Sequence, residues 1–379
     1  MSQHYHERNI MRHKITKKNI LFFGPIPPPI TGQAIAFSEI YYRIELGNKF
    51  LVNTSSISTY KIFTSIRVIL RVTGIFVRNR IDLVYFTCSR TKMGFVKDLY
   101  LVFLSAISKA KIINHVHGAD FYTFYKNSGI LEPIIKATYK KVDVSIVLLA
   151  GMKADFKDFP HMDLYVIGNS YPTKFNDIDV DYSLQSSDLL FFSNIMATKG
   201  IFEYLEAADH LLNETTNLKC SIAGGYLGDD EMSRIEVENK FQTRYNELKS
   251  KWGDRIQYCG IVGGDEKLEL FLKSSIFVLP TYYKTEAFPI SILEAMRTGN
   301  AIITTNHNYL PEIISNQNGF LVKCKSVGEL THAINRLMMN KALLKTIQQT
   351  NVNVAKDFYS PDRYLTDVKN VISSYLESD

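Results

Sequence analysis

The sequence predicts an α/β protein of two doubly wound domains, each a parallel sheet with helices on both faces. Three observations carry that expectation. Short apolar runs alternate with helical segments from residue 20 to 167, break, and restart at residue 189. The strands read as near-continuous apolar runs, which marks sheets buried on both faces. A length of 379 residues suits two domains of ordinary size. Residues 1–170 are therefore expected to form the first domain, 171–187 a linker and 188–360 the second domain.

After a polar and basic tail, residues 20–23 are the first predicted strand. Prolines at 25 and 27–29 stiffen the following loop, and a helix is expected from about 34 to 44. Gly32 stands at that helix start, where a missing side chain lets backbone approach a ligand closely. The loop is not G-x-G-x-x-G, so it is no dinucleotide fingerprint. Strands are expected at 50–53, 83–86, 112–116, 144–149 and 164–167, with helices near 61–78, 92–109, 129–141 and 150–157. His115-Val-His117-Gly118-Ala-Asp120 closes one strand. The two histidines are expected on opposite sides of it, a poor metal pair, with one facing the cleft.

The stretch Asn176-Asp-Ile-Asp-Val-Asp holds two overlapping D-x-D patterns. They sit in a polar linker and read as solvated turn chemistry, not a metal site. Beyond them, a strand at 189–192 runs through Asn194 and Lys199-Gly200 into a helix at 201–212. A strand at 220–223 ends at Gly224-Gly225, a tight turn or an approach to a ligand. Helices near 230–250 and 265–272 flank a strand at 255–258. Strands and turns at 301–304, 310–314 and 319–322 and helices near 326–338, 340–355 and 361–377 finish the chain.

Residues 275–300 are the organising stretch: a buried strand, a loop opened by Pro280, and a helix entered at Pro289 and stopped by Gly299. Ile290, Leu293, Ala295 and Met296 give that helix an apolar stripe. Open α/β sheets bind ligands at such strand ends, and a helix N-terminus favours an anion. Glu286 and Glu294 frame the loop. Acidic side chains there can accept from neutral hydroxyls while backbone donors hold phosphate, and a sugar nucleotide offers both groups. By spacing alone, a helix-start Glu beside a solvated one is the plainer reading.

The net charge of +6 is unevenly spread. Residues 1–170 hold 23 Lys and Arg against 11 Asp and Glu, a balance of +12; the remainder holds 21 against 27, or −6. A basic first half points to an anionic partner. No nucleic-acid motif is present, which leaves an anionic membrane surface. Residues 61–80 would make a basic amphipathic helix, equally readable as an ordinary sheet-covering helix. The four cysteines are far apart and read as reduced thiols of a cytosolic protein, not a disulfide frame or zinc site. No secretory signal or membrane-spanning apolar run is visible.

The phrase Thr285-Glu286-Ala-Phe288-Pro289-Ile-Ser-Ile-Leu-Glu294-Ala-Met-Arg-Thr-Gly299 resembles the E-x7-E signature of retaining glycosyltransferases of the family 4 (glycosyl transferases group 1) type. The first-strand loop is also similar, with Thr31-Gly32 where Gly-Gly is common, as are His117-Gly118 and Asn318-Gly319-Phe-Leu-Val. Lys199-Gly200 matches the family's phosphate-contacting Lys-Gly, but Asn194 stands where an Arg is usual. Glu312 matches a family pattern near the donor, although a surface Glu is the simpler reading.

The resemblance implies the GT-B fold, two Rossmann-like domains facing an interdomain cleft, with the last helix crossing back onto the first domain. It implies transfer of a sugar from a nucleotide-diphosphate sugar to an acceptor hydroxyl, with the anomeric configuration kept. Glu286 would hold sugar hydroxyls, Glu294 ribose hydroxyls, and His117 the sugar or the acceptor. Gly32, Asn194, Lys199, Gly224, Phe288 and Pro289 would line the donor site. No metal or other cofactor is expected. The expected acceptor is a glycan on a polyprenyl diphosphate, used for a bacterial surface polysaccharide by an enzyme peripheral on the inner face of the plasma membrane. A sugar-nucleotide epimerase of the same architecture and an inactive glycan- or nucleotide-binding protein are the alternatives.

Overall fold

The computed structural model describes residues 17–29, 31–55, 61–182, 185 and 188–377. The basic tail before residue 17 and four residues of the expected linker lie outside the described residues. The chain builds two parallel six-stranded sheets with flanking helices.

The first sheet contains β1 (Asn19–Gly24), β2 (Asn48–Asn53), β3 (Leu83–Thr87), β4 (Lys111–His115), β5 (Val144–Val147) and β6 (Asp163–Val166) in the order β2-β1-β3-β4-β5-β6. Alternate strand residues divide between its two faces. Phe22, Tyr85 and Ile113 pack with α1 (Gly32–Arg43) and α12 (Pro361–Glu377). Leu21, Val84, Phe86 and Ile112 belong to the opposite core, on the side of α2 (Lys61–Arg78), α3 (Lys92–Ile107), α4 (Phe121–Lys126) and α5 (Glu132–Tyr139). The carboxy-terminal helix α12 thus completes the first domain's core through Tyr364, Val368 and Ile372.

The second sheet holds β7 (Leu189–Phe192), β8 (Cys220–Ala223), β9 (Ile256–Tyr258), β10 (Ile276–Leu279), β11 (Ala301–Thr305) and β12 (Gly319–Val322) in the order β12-β11-β10-β7-β8-β9. Its helices are α6 (Ile201–Glu214), α7 (Arg234–Trp252), α8 (Gly264–Lys273), α9 (Ile290–Arg297), α10 (Val327–Met339) and α11 (Lys341–Phe358). Strand order reverses between β1 and β3 in one sheet and between β7 and β10 in the other. Ligands of open α/β sheets bind at such reversal points, outside the carboxyl ends of the strands. The loops after β1, β3, β7 and β10 carry most of the residues of interest.

Several elements differ from expectation. The six-residue α4 is too short to show a helical period, yet it buries Phe121 and Tyr125 in an aromatic cluster with Tyr139, Phe156 and Phe159. The segment around 310–314 is a 3-10 turn, Leu310–Glu312. Pro289 is the N-cap of α9 and not its first helical residue. That helix has no solvated stripe: Ile292 through Arg297 are all buried, because α11 covers its outer side. His115 and His117 do not diverge. Residues two apart on a pleated strand share a face, and the two rings lie 4.2 Å apart.

Candidate active site

The second-domain side of the cleft is built by the loops after β7 and β10. Gly200 ends the first of them at φ +78, and a Cβ there would lie 2.3 Å from the Pro280 carbonyl oxygen. This position needs glycine, and its close approach locks the two loops together. Tyr282 N–H donates to Thr198 O (2.8 Å) across the same seam. The result is a tight junction: Lys199 Nζ lies 2.5 Å from Glu286 Oε2, and Thr281 Oγ1 donates to the same oxygen at 3.1 Å. Asn308 clamps the loop from below, donating from Nδ2 to Lys284 O and Glu286 O, both at 3.0 Å. Its φ of +46 is a left-handed conformation that Asn tolerates.

Just over one turn into α9, Glu294 is 1% exposed, and Lys267 of α8 reaches its Oε1 at 2.5 Å. Burial raises the Glu294 pKa, and the Lys267 charge pulls it back. Both acids therefore have a lysine partner. Between them lies the start of α9, whose N-cap Pro289 offers no side-chain cap; Ile292 N–H turns back to Pro289 O at 3.1 Å, which leaves the Ile290 and Ser291 N–H groups to face an anion. Gly224 supports this side from beneath: a Cβ on it would sit 1.8 Å from Ser193 O. Asn194 is exposed on the loop after β7.

The first-domain side is organised around His117. Burial, then the nearby Arg90 charge, pushes its pKa down to about 3, while Asn169 works the other way. Both ring nitrogens are covered and make no geometrically sound hydrogen bond. His117 is therefore a neutral ring at any ordinary pH. His115 behind it is a core residue, its Nδ1 2.5 Å from the Tyr85 hydroxyl. Arg90, in the loop after β3, pairs with Asp120 and lies flat against Gly118, where a Cβ would come within 2.5 Å of the guanidinium. Burial opposes the Arg90 charge, and Asp120 restores it.

The two sides meet in specific contacts. Gly32 faces the start of α9, with its Cβ position 3.6 Å from Ile290. Asn169 Nδ2 donates to Phe288 O at 2.9 Å, and Ala119 N–H donates to Thr285 O at 3.3 Å. Phe288 fills the seam between domains, leaving no room for a side chain at Gly168 and meeting Tyr359 edge-on at 5.4 Å. Glu312 is exposed, yet its two carboxylate oxygens accept from Gly151 N–H at 3.0 and 3.2 Å, a bridge from one domain to the other.

Of the expected site residues, Lys199 and Glu286 are in direct contact, Gly32 lies against Ile290 just after Pro289, and Glu294 of α9 pairs with Lys267 of α8. Phe288 fills the domain seam, His117 lies on the first-domain side beside Gly118, and Gly224 and exposed Asn194 belong to the loops after β8 and β7. Sequence reasoning missed Thr281, Asn308, Lys267, Arg90, Asp120 and Asn169. The aspartates of the D-x-D patterns, Asp177, Asp179 and Asp181, are exposed. Among the described residues no group of three or more His, Cys, Asp and Glu is placed to hold a metal ion.

Comparison with known proteins follows the same lines. Residues 180–353 match the family model of glycosyl transferases group 1. An uncharacterised glycosyltransferase of Methanocaldococcus jannaschii is 27% identical over 190 residues, 50% of this chain and 45% of that one. The N,N'-diacetylbacillosaminyl-diphospho-undecaprenol alpha-1,3-N-acetylgalactosaminyltransferase of Campylobacter jejuni is 26% identical over 235 residues, 62% of this chain and 52% of that one. The chain thus spans about half the length of these curated relatives. Among solved structures, sucrose-phosphate synthase from Thermosynechococcus elongatus superposes with a TM-score of 0.69 at 14% identity, over 96% of this chain and all of that one. Anabaena HepE in complex with UDP gives 0.70 at 14% identity, over 94% of this chain and all of that one. The shared architecture is the GT-B fold.

Proposed function

We propose that this protein, whose residues 180–353 match the family model of glycosyl transferases group 1, moves a sugar from a nucleotide-diphosphate sugar to an acceptor hydroxyl with retention of configuration. One observation supports the reading: Lys199 pairs with Glu286 where the strand order reverses between β7 and β10, just before the N-terminus of α9.

The chemistry follows from those groups. As the bond from the anomeric carbon to the diphosphate oxygen breaks, its electron pair stays on the leaving oxygen. Lys199 and the first-turn N–H groups of α9 stabilise that charge. The sugar becomes oxocarbenium-like, with Glu286 accepting from its hydroxyls. The acceptor hydroxyl attacks on the face the diphosphate leaves, and its proton passes to the departing phosphate oxygen. His117, held neutral, serves as a hydrogen-bond partner for sugar or acceptor and not as an acid. No metal ion is needed in this scheme, because Lys199 and the helix supply the positive field.

The Campylobacter relative is named for a diphospho-undecaprenol-linked acceptor. A glycan on a polyprenyl diphosphate, in assembly of a bacterial surface polysaccharide at the inner face of the plasma membrane, is the acceptor class we assign. The first domain supports it with a surface. Helices α2 and α3 lie side by side, joined by Thr73 Oγ1 and Tyr100 OH at 2.6 Å. They expose Leu70 (66%), Val77 (80%), Phe103 (58%) and Ile107 (64%) beside exposed Arg67, Arg71, Lys92 and Lys109. Apolar side chains among cations suit an anionic bilayer surface. No helix among the described residues is long and apolar enough to cross a membrane.

The test is product analysis with a UDP-sugar panel, with and without a polyprenyl-diphosphate acceptor. Transfer that needs the acceptor supports the reading. Conversion of the sugar nucleotide without acceptor would favour an epimerase instead, and tight nucleotide binding with no turnover would favour a binding protein.

A further inference from the structure

We propose that Lys267 is a positioning residue for the donor nucleotide: it holds Glu294 as a carboxylate whose free side can receive the ribose hydroxyls. The proposal rests on the reading of Glu294 as the ribose partner. Its own basis is the geometry of a buried pair. Glu294 is 1% exposed and Lys267 is 19% exposed, with Nζ 2.5 Å from Oε1. The lysine arrives from a different helix, 27 residues earlier in the chain. Its ammonium is also seated over the Phe192 ring at 4.9 Å and the Phe175 ring at 6.0 Å. An ammonium held by two rings and a carboxylate is fixed in place, not a mobile surface charge.

The surrounding groups leave Lys267 alone in this task. On α9 itself, Arg297 turns its Nη2 to the carbonyls of Asn176 (2.6 Å) and Ile178 (2.8 Å). Lys199 is engaged with Glu286. Helix α11, packed on the other side of α9, presents the neutral Gln348 and Asn351. On α8, Lys267 is the one charged neighbour that acts on the Glu294 pKa, against the upward push of burial. A buried carboxylate stripped of its cation takes up a proton. A protonated Glu294 accepts fewer hydrogen bonds, so a ribose diol would be held less well.

This assigns Lys267 an effect on donor binding and on its pH dependence, and little effect on the chemical step. The signal is absent from the sequence, where Lys267 is one of several charged residues on an ordinary helix.

The experiment is calorimetric titration of the whole protein with UDP and GDP between pH 6 and 9. The wild type should bind one of them with little pH dependence. Lys267→Met should bind it about tenfold or more weakly at pH 6, recovering as pH rises, with kcat at saturating donor near the wild-type value. Lys267→Arg should restore the flat profile. Wild-type affinity and a flat profile in Lys267→Met overturn the proposal. If Lys267→Met does not fold, the double variant Lys267→Met/Glu294→Gln replaces the ion pair by neutral groups and carries the test. Weakened, pH-independent binding is then expected, and wild-type affinity overturns the proposal. Glu294→Ala separates the two layers. If it leaves nucleotide affinity unchanged, the reading of Glu294 itself fails. If it weakens binding while Lys267→Met does not, only the role of Lys267 fails.

Discussion

The two sides of the cleft handle charge in opposite ways. The second domain sets its site carboxylates against lysines, Glu286 against Lys199 and Glu294 against Lys267. Apart from Arg90 and Asp120, burial in the first domain shifts its groups toward their neutral forms. Burial pushes His117 down to about 3, lifts Asp98 to about 7 and lifts the Cys88 thiol to about 12. Under the proposed function, one side suits a charged diphosphate leaving group and the other an uncharged hydroxyl. The difference teaches how one cleft could serve both partners of the proposed transfer: the field would belong to the donor wall, and the acceptor wall would stay electrically quiet.

The largest test of this contrast removes the central carboxylate. Glu286→Ala should lower kcat by about 10²–10³, the range for losing a preorganised transition-state contact, and leave Lys199 without its partner. Steady-state transfer kinetics read it out, and unchanged turnover would remove Glu286 from the site. Lys199→Ala should follow, with a loss of about tenfold to a hundredfold in kcat/KM, because helix N–H groups still face the diphosphate.

The quiet wall predicts a pH signature. With its folded pKa near 3 against 6.5 for the free side chain, His117 binds fewer protons folded than unfolded. Stability should therefore fall as pH drops through about 6.5, and His117→Asn should reduce that slope. Asp98 runs the other way: its folded pKa near 7 against 3.8 means that stability is lost as pH rises from about 4 to 7. Asp98→Asn should gain stability at pH 8 relative to pH 4. Urea unfolding of both variants across this range checks the signs.

Smaller effects are expected at the outer surface and from chelation. Charge reversal of Arg67 and Arg71 should abolish salt-sensitive sedimentation with anionic vesicles and spare transfer to a soluble acceptor analogue. Equal binding of the wild type to neutral and anionic vesicles would defeat the surface assigned to α2 and α3. EDTA should leave the transfer rate unchanged.

The two walls also differed in how far the sequence revealed them. Glu286 and Glu294 lie within one continuous strand, loop and helix, so their placement at a helix entrance follows from local pattern alone. The parallel architecture was equally readable, since buried strands such as Leu83–Thr87 and Ile276–Leu279 are apolar along their length. The first wall is assembled from distant segments. Arg90 and Asp120 are thirty positions apart and meet only because β3 and β4 are neighbours in the sheet. Asn169 is joined to Phe288 by domain packing, across 119 residues. Nothing local distinguishes such residues from ordinary polar ones. Asn308 offered a faint signal, an Asn just beyond a strand end where left-handed backbone is common. His115 and His117 were expected on opposite sides of their strand, although its two-residue period places them on one face, as their 4.2 Å ring contact shows.

The most direct test of the central claim is a crystal of the protein soaked with a nucleoside-diphosphate sugar that it binds in solution. The account predicts the diphosphate against Lys199 and the start of α9, the sugar against Glu286 and the ribose against Glu294. A donor bound elsewhere, with the two glutamates still paired to their lysines and untouched by ligand, would contradict it.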